Sequence, residues 1–279
     1  MNSAKILIVS HDAGGAYLLS KWCGDWLKYH SFRYHLLGPA IKIFKEHIPH
    51  LDNYKKIPWG DIDCVITTSG WQTSFERDAV RQAKLRGLYV ITYLDHWANY
   101  KIRFKDENDY QYPNELWLAD REAMNIAVKT FALEQIFCRY MRNRHFYQIK
   151  NDVEGGNRTK EAILVCLEPI RNGYSWEKAY KNLKYYLLDN YPKDHKLLIR
   201  DHPSKSNTHL SELYLSIKDY FHVEISENEL STDIAYSKSI FSYQSSVLAY
   251  ACYLNIPAYS FFPKQEMEPI LPHKEIIYI

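Results

Sequence analysis

Short, unbroken apolar runs, each stopping at a polar or glycine-containing turn, constrain this chain most. Lys5–Ser10 reads KILIVS and stops at His11-Asp12-Ala13-Gly14-Gly15. Arg33–Leu37 stops at Gly38-Pro39, Cys64–Thr68 at Ser69-Gly70, Leu88–Leu94 at Asp95-His96, and Leu116–Ala119 at Asp120. A strand with one wet face alternates apolar and polar residues, whereas a strand covered on both faces stays apolar throughout. Helical patterns lie between the runs: Ala16–Tyr29, then Gln72–Arg86, closed by Gly87. A further helix begins near Asp120. Strands alternating with helices predict a parallel sheet with helices on both sides.

The alternation breaks once. Asn151–Lys160 is polar, carries Gly155-Gly156, and reads as a linker. The pattern then restarts with strands at Ala162–Leu167, His195–Arg200, His222–Ile225, Ser239–Ser242 and Pro257–Phe261. Helices are expected at Ser175–Asn190, Asn207–Tyr220, Thr232–Tyr236 and Ser245–Leu254. A length of 279 residues accommodates two modest domains, and 46% hydrophobic against 24% charged residues is the balance of a packed globular protein. The expected class is α/β: two Rossmann-like domains, 1–150 and 161–279, with parallel sheets facing across a cleft. Open parallel sheets bind ligands beyond the carboxyl ends of their strands, so the loops after strands are where chemistry is expected. The segment Glu268–Ile279 is expected to pack back on the first half.

Charge excludes one class of partner. The net charge is +2, and no basic block runs through the chain, so a nucleic-acid binder is not expected. Arg139, Arg142, Arg144 and His145 form the one local cluster. It reads as a solvated face, with an anion or membrane-surface patch as the alternative. Five cysteines without a CxxC fit reduced thiols and a cytoplasmic protein. The first ten residues are too short for a signal peptide, and no run approaches the roughly 20 apolar residues of a membrane span. The 24 tyrosines suit wet clefts, or reflect a compositional bias.

Five loops carry polar chemistry. In the first, Gly14 and Gly15 permit a tight turn and a close backbone approach at a helix start, and His11 and Asp12 project beyond the strand; the plain alternative is Asp12 as a helix cap. In the second, Asp95, His96 and Asn99 lie close together with Arg103 behind them, and an aspartate beside a histidine can raise its basicity. In the third, Glu168-Pro169-Ile170-Arg171, Arg171 has the reach for a phosphate. In the fourth, Pro203 stiffens the turn that carries His202, with Lys205 nearby. In the fifth, Ser245 and Ser246 open a helix, where hydroxyls and free N–H groups suit an anion. GxGxxG, Walker and GxSxG patterns are absent, and no His/Cys/Asp/Glu set has metal-ligand spacing. No cofactor is called for, and a departing phosphate would be neutralised by side chains and a helix N-terminus.

In order along the chain, these residues resemble glycosyltransferases of the GT-B architecture, nearest to bacterial enzymes that use cytidine-nucleotide donors: sialyl- and polysialyltransferases, Kdo transferases and CDP-glycerol polyol-phosphate transferases. His202-Pro203 matches a His-Pro after a strand of the C-terminal domain, and Ser245-Ser246 a serine pair opening a later helix. In those families both elements hold the donor phosphate. Arg171 and His96 match an Arg and a His of the polyol-phosphate transferases. The acidic-acidic-Gly motif of polysialyltransferases has only Asp12-Ala13-Gly14 as its substitute here. The resemblance implies a metal-independent, inverting transfer of a CMP-activated sugar, a nonulosonic acid or Kdo-like, onto a bacterial surface glycan or glycolipid. Peripheral association with the inner face of the membrane goes with it. Asp12, or Asp95 with His96, would take the acceptor proton. Arg171, His202, Lys205, Ser245 and Ser246 would bind the nucleotide phosphate; His11, Gly14, Gly15, Asn99 and Arg103 would shape the substrate site. The alternatives are a CDP-polyol phosphotransferase, a nucleotide-sugar epimerase of the same architecture, and a non-catalytic nucleotide-sugar binding protein.

Overall fold

The structure is a computed structural model describing residues 3–70, 73–107, 109–131, 136–156, 159–169, 175–202, 208–263 and 268–279. The chain divides into two compact units, Met1–His145 and Phe146–Ile279.

In the first unit the chain runs β1 (Lys5–Ser10), α1 (Ala13–Trp26), β2 (Ser31–Leu36), α2 (Ala40–His47), β3 (Cys64–Thr67), α3 (Phe75–Leu85) and β4 (Tyr89–Leu94). A two-stranded antiparallel hairpin, β5 (Lys105–Asp106) and β6 (Asp109–Tyr110), precedes β7 (Glu115–Leu118), α4 (Arg121–Thr130) and β8 (Phe137–Tyr140). The main sheet has the order β2-β1-β3-β4-β7-β8, and every pairing in it is parallel. Its central strands are apolar throughout because both faces are covered. Ile6 and Ile8 pack into the cluster of α1 and α2 with Leu19, Trp22 and Phe44, while the alternate residues Leu7 and Val9 pack with Val65 and with Ala79, Val80 and Ala83 of α3.

The second unit continues with α5 (Arg144–Gly155, beginning two residues before the division), β9 (Ala162–Cys166), α6 (Trp176–Asn190), β10 (Lys196–Arg200), α7 (Leu210–Ile217) and β11 (His222–Ser226). It ends with α8 (Leu230–Tyr236), β12 (Ser237–Ser242), α9 (Ser246–Tyr253), β13 (Ala258–Ser260) and β14 (Ile277–Tyr278). Its sheet is also parallel, in the order β11-β10-β9-β12-β13-β14. That is the 3-2-1-4-5-6 order of a Rossmann sheet.

Three local differences from the sequence reading have physical reasons. Residues 151–155, read as linker, are the last turns of α5, whose Phe146, Ile149 and Val153 are buried at helical spacing. Helix α1 starts three residues earlier than expected, so Gly14 and Gly15 lie inside its first turn and neither has a positive φ; they are not a tight turn. At its end, Glu268–Ile279 joins the second unit's own sheet: β14 pairs with β13, and the Ile279 amide donates to the Ser260 carbonyl at 2.9 Å. Among the described residues, no helix is long and apolar enough to cross a membrane.

Candidate active site

In each sheet the chain reverses direction beside the first strand. In the first unit this switch lies between β1 and β3, and in the second between β9 and β12. Connections leave to opposite sides there and open a crevice at the carboxyl ends of the strands. Both crevices collect polar side chains.

Around the first switch stand three carboxyl groups. Asp12 occupies the N-cap position of α1 with extended backbone, yet its side chain does not cap the helix. Its Oδ1 instead meets the His11 ring at Nδ1, 2.8 Å away, and its side chain is 29% exposed. Asp95, after β4, pairs through Oδ1 with Arg103 Nη1 at 3.2 Å. The third carboxyl is Glu76, in the first turn of α3 and 2% exposed. Its Oε1 accepts from the backbone N–H of His11 at 3.0 Å and from the Thr68 hydroxyl at 3.2 Å. Burial first, and the charge of Asp12 second, push the Glu76 carboxyl above the usual range.

Glycines let these groups approach the backbone. A Cβ on Gly14 would collide with Asp95 Oδ2, and one on Gly15 would lie 2.6 Å from the Thr68 Cβ. A Cβ on Gly70 would lie 2.9 Å from Asp12 Oδ2 and 3.2 Å from Glu76 Oε2. Close approach, not turn geometry, is therefore the reason for glycine at 14 and 15.

Arg103 is 6% exposed. It donates to Ser69 (carbonyl and hydroxyl), to the Ala98 carbonyl at 3.0 Å and to Asp95, so it ties the loop after β3 to the loop after β4. His96 is half-buried with its ring edge-on to Trp97, and Trp97 donates to Asp120, which caps α4. Asn99 is exposed with φ +62°, a conformation asparagine tolerates, and its carbonyl accepts from the Arg103 amide.

At the second switch, Glu168 after β9 spans to the loop after β12. Its Oε1 accepts from the Ser242 hydroxyl at 3.1 Å and from the Gln244 backbone N–H at 2.6 Å. Ser245 caps α9, accepting from the Val247 amide at 3.3 Å, and Ser246 is the first helical residue. Asp201, after β10, accepts from the His202 amide at 2.9 Å and from the Thr208 hydroxyl. Trp176 and His209 stack with ring centroids 3.7 Å apart. Arg200 is held by the fully buried Asp233 at 2.9 Å. Arg171, Pro203 and Lys205 lie outside the described residues.

The structure thus brings His11, Asp12, Gly14, Gly15, Asp95 and Arg103 together in one unit, and His202, Ser245 and Ser246 at the strand ends of the other. The sequence reading missed Glu76. Its signal was present: 76, 79, 80 and 83 share one helix face, and a glutamate on the apolar stripe of a buried helix calls for a reason.

No protein-family model matches the chain, and no curated protein does. Solved structures do. A UDP-GlcNAc 2-epimerase from Neisseria meningitidis bound to UDP-GlcNAc is similar at 12% identity and TM-score 0.64, over 92% of this chain and 82% of that one. The Staphylococcus aureus MnaA–UDP co-structure is similar at 14% identity and TM-score 0.65, over 92% and 78%. A glycotransferase of kitacinnamycin matches at 10% identity and TM-score 0.59, over 100% and 87%. The fold is that of GT-B-like proteins, two parallel-sheet α/β units in succession.

Proposed function

We propose that the chain is a metal-independent, inverting glycosyltransferase that moves a sugar from a nucleotide-activated donor to a hydroxyl of a bacterial surface glycan. The observation that carries this reading is the half-exposed Asp12 at the switch point of the first sheet, left free of helix capping and set against His11. A general base must be accessible and held in place, and Asp12 keeps 29% of its side chain exposed while His11 holds its Oδ1. In the transfer, the acceptor oxygen bonds to the anomeric carbon from the face opposite the nucleotide, and the carbon–phosphate oxygen bond breaks. Asp12 takes the acceptor proton, and the electron pair leaves on the phosphate. His202, with the hydroxyls and N–H groups at Ser245 and Ser246, supports that phosphate, and Arg171 and Lys205 belong to the same set. The donor we put first is CMP-linked, on the His202-Pro203 and Ser245-Ser246 resemblance.

One observation favours a second reading. Asp12, Glu76 and Asp95 converge on one crevice, and an epimerase needs acid and base carboxyls around a sugar ring. One experiment separates the two: proton NMR of the protein with nucleotide sugars and no acceptor, in excess EDTA. A transferase releases free nucleotide slowly, with water as acceptor, and an epimerase gives a new anomeric signal with the nucleotide still attached. Asp12→Asn keeps the shape and removes the base. It should lower turnover by about 10²–10⁴ and leave nucleotide affinity unchanged; full turnover in that variant would overturn the assignment. Loss of turnover in EDTA, restored by a divalent ion, would overturn the metal-independent mechanism.

A further inference from the structure

We infer that Glu76 is a positioning residue for Asp12, and that the two carboxyl groups share one proton across the notch left by Gly70, with the proton resident on Glu76. The inference rests on the reading of Asp12 as the base, and adds a group that the reaction scheme does not use.

Three geometric facts carry it. First, Glu76 Oε1 holds the backbone N–H of His11, the residue next to Asp12. The same carboxyl that faces Asp12 therefore fixes the backbone that presents Asp12. Second, Glu76 Oε2 is buried and makes no hydrogen bond among the described residues. A buried carboxylate oxygen without a donor is costly, whereas a protonated one is a donor looking for an acceptor. Third, that oxygen lies 3.2 Å, and Asp12 Oδ2 2.9 Å, from the point where a Cβ on Gly70 would stand. Carboxyl groups that border one notch disfavour each other's ionisation, and burial together with the Asp12 charge places the proton on Glu76.

The groups facing Glu76 agree in direction. Its burial and the Asp12 charge favour the proton, while the His11 amide and ring oppose it more weakly. Asp95 stands against Gly14 and pairs with Arg103 at 3.2 Å. During transfer Asp12 Oδ2 takes the acceptor proton and Glu76 keeps its own. Asp12 then returns its proton to solvent through its exposed edge.

The test has two arms. In the free protein, the Glu76 side-chain carboxyl carbon is followed by ¹³C NMR against pH, in the wild type and in Asp12→Asn. The expected midpoint lies above the ordinary glutamate range and moves down when the Asp12 charge is removed. A midpoint in the ordinary range, unmoved by Asp12→Asn, overturns the inference. This arm needs no substrate, so it is decided even if the protein transfers no sugar. The second arm compares Glu76→Gln with Glu76→Ala in turnover. The amide mimics the protonated acid: it keeps an acceptor for His11 and presents a donor to Asp12. Glu76→Gln should keep kcat near the wild-type value below the Glu76 midpoint and remove the fall in activity expected of the wild type as pH rises through that midpoint. Glu76→Ala should lower kcat on the order of 10²-fold with KM unchanged. A Gln variant as inactive as Asp12→Asn overturns the inference. A raised, coupled Glu76 midpoint beside an Asp12→Asn variant of full turnover supports the shared proton and overturns the base assignment alone.

Discussion

At the residue scale the site depends on atoms that are missing as much as on those present. Gly15 and Gly70 test this in different ways. The Cβ of Gly15→Ala would press on the Thr68 Cβ inside the first sheet's crevice, where neither backbone nor side chain can yield freely. Overpacking of this kind costs about 1–3 kcal/mol, measurable by denaturant unfolding. Gly70→Ala would meet two carboxyl oxygens instead. It should fold normally and bind nucleotide, but lose turnover because the Cβ fills the space between Asp12 and Glu76; unchanged turnover would show that this space is not used. Glu76 also leaves a mark on stability. Its carboxyl is raised in the folded state, so the native protein holds a proton that the unfolded chain releases near the ordinary glutamate value. Its contribution is fully present below that value and is lost as pH rises through the folded one. The melting temperature of Glu76→Gln should therefore gain on the wild type as pH rises above about 4.5; a pH-independent difference would contradict a raised carboxyl. His11, Asp12 and Asp95 were legible in the sequence because they directly follow apolar runs. Glu76 was not, because it reaches the same place from the buried face of a helix, nine residues after the end of β3, and only packing brings it there.

At the element scale the strands were more legible than the helices between them. A six-residue apolar run such as Lys5–Ser10 or Tyr89–Leu94 has few other ways to be buried in an alternating chain. Helix α2 escaped notice because its buried face is only Ala40, Ile43 and Phe44, and α5 because its basic start reads as surface. Strand β8 is an edge strand with three of its four residues exposed, so it lacks the apolar signal altogether. The buried side chain of Arg103 joins the loops after β3 and β4. Removing one partner of a buried ion pair leaves the other uncompensated, and typically costs about 3–5 kcal/mol. Arg103→Ala should therefore destabilise by about 3 kcal/mol, since Asp95 keeps some exposure, and Arg103→Lys should recover only part of this because a single ammonium cannot reach Ser69, Ala98 and Asp95 together. An Arg103→Ala variant as stable as the wild type would show that the two loops do not rely on this tie.

At the scale of the whole molecule, two parallel-sheet α/β units were readable from the alternation of strands and helices on both sides of a break in the pattern, and the GT-B architecture from the resemblance. The division falls a few residues before the polar segment that suggested it. The fold matches solved structures at 10–14% identity, and no family model matches the chain, so the likeness shows the fold alone. Parallel sheets with switch points bind many ligands, so the ligand has to be argued from the side chains at those switches. The central claim is that the chain binds a nucleotide through its second unit. Thermal unfolding against a panel of CMP, CDP, UMP, UDP and GDP tests it most directly. At 100 times its dissociation constant, a ligand stabilises the folded state by about 2.7 kcal/mol. The account predicts such a shift for a cytidine nucleotide, kept in Asp12→Asn and reduced when His202 or both Ser245 and Ser246 become alanine. A shift confined to UDP would redirect the donor; no shift with any nucleotide would contradict the account.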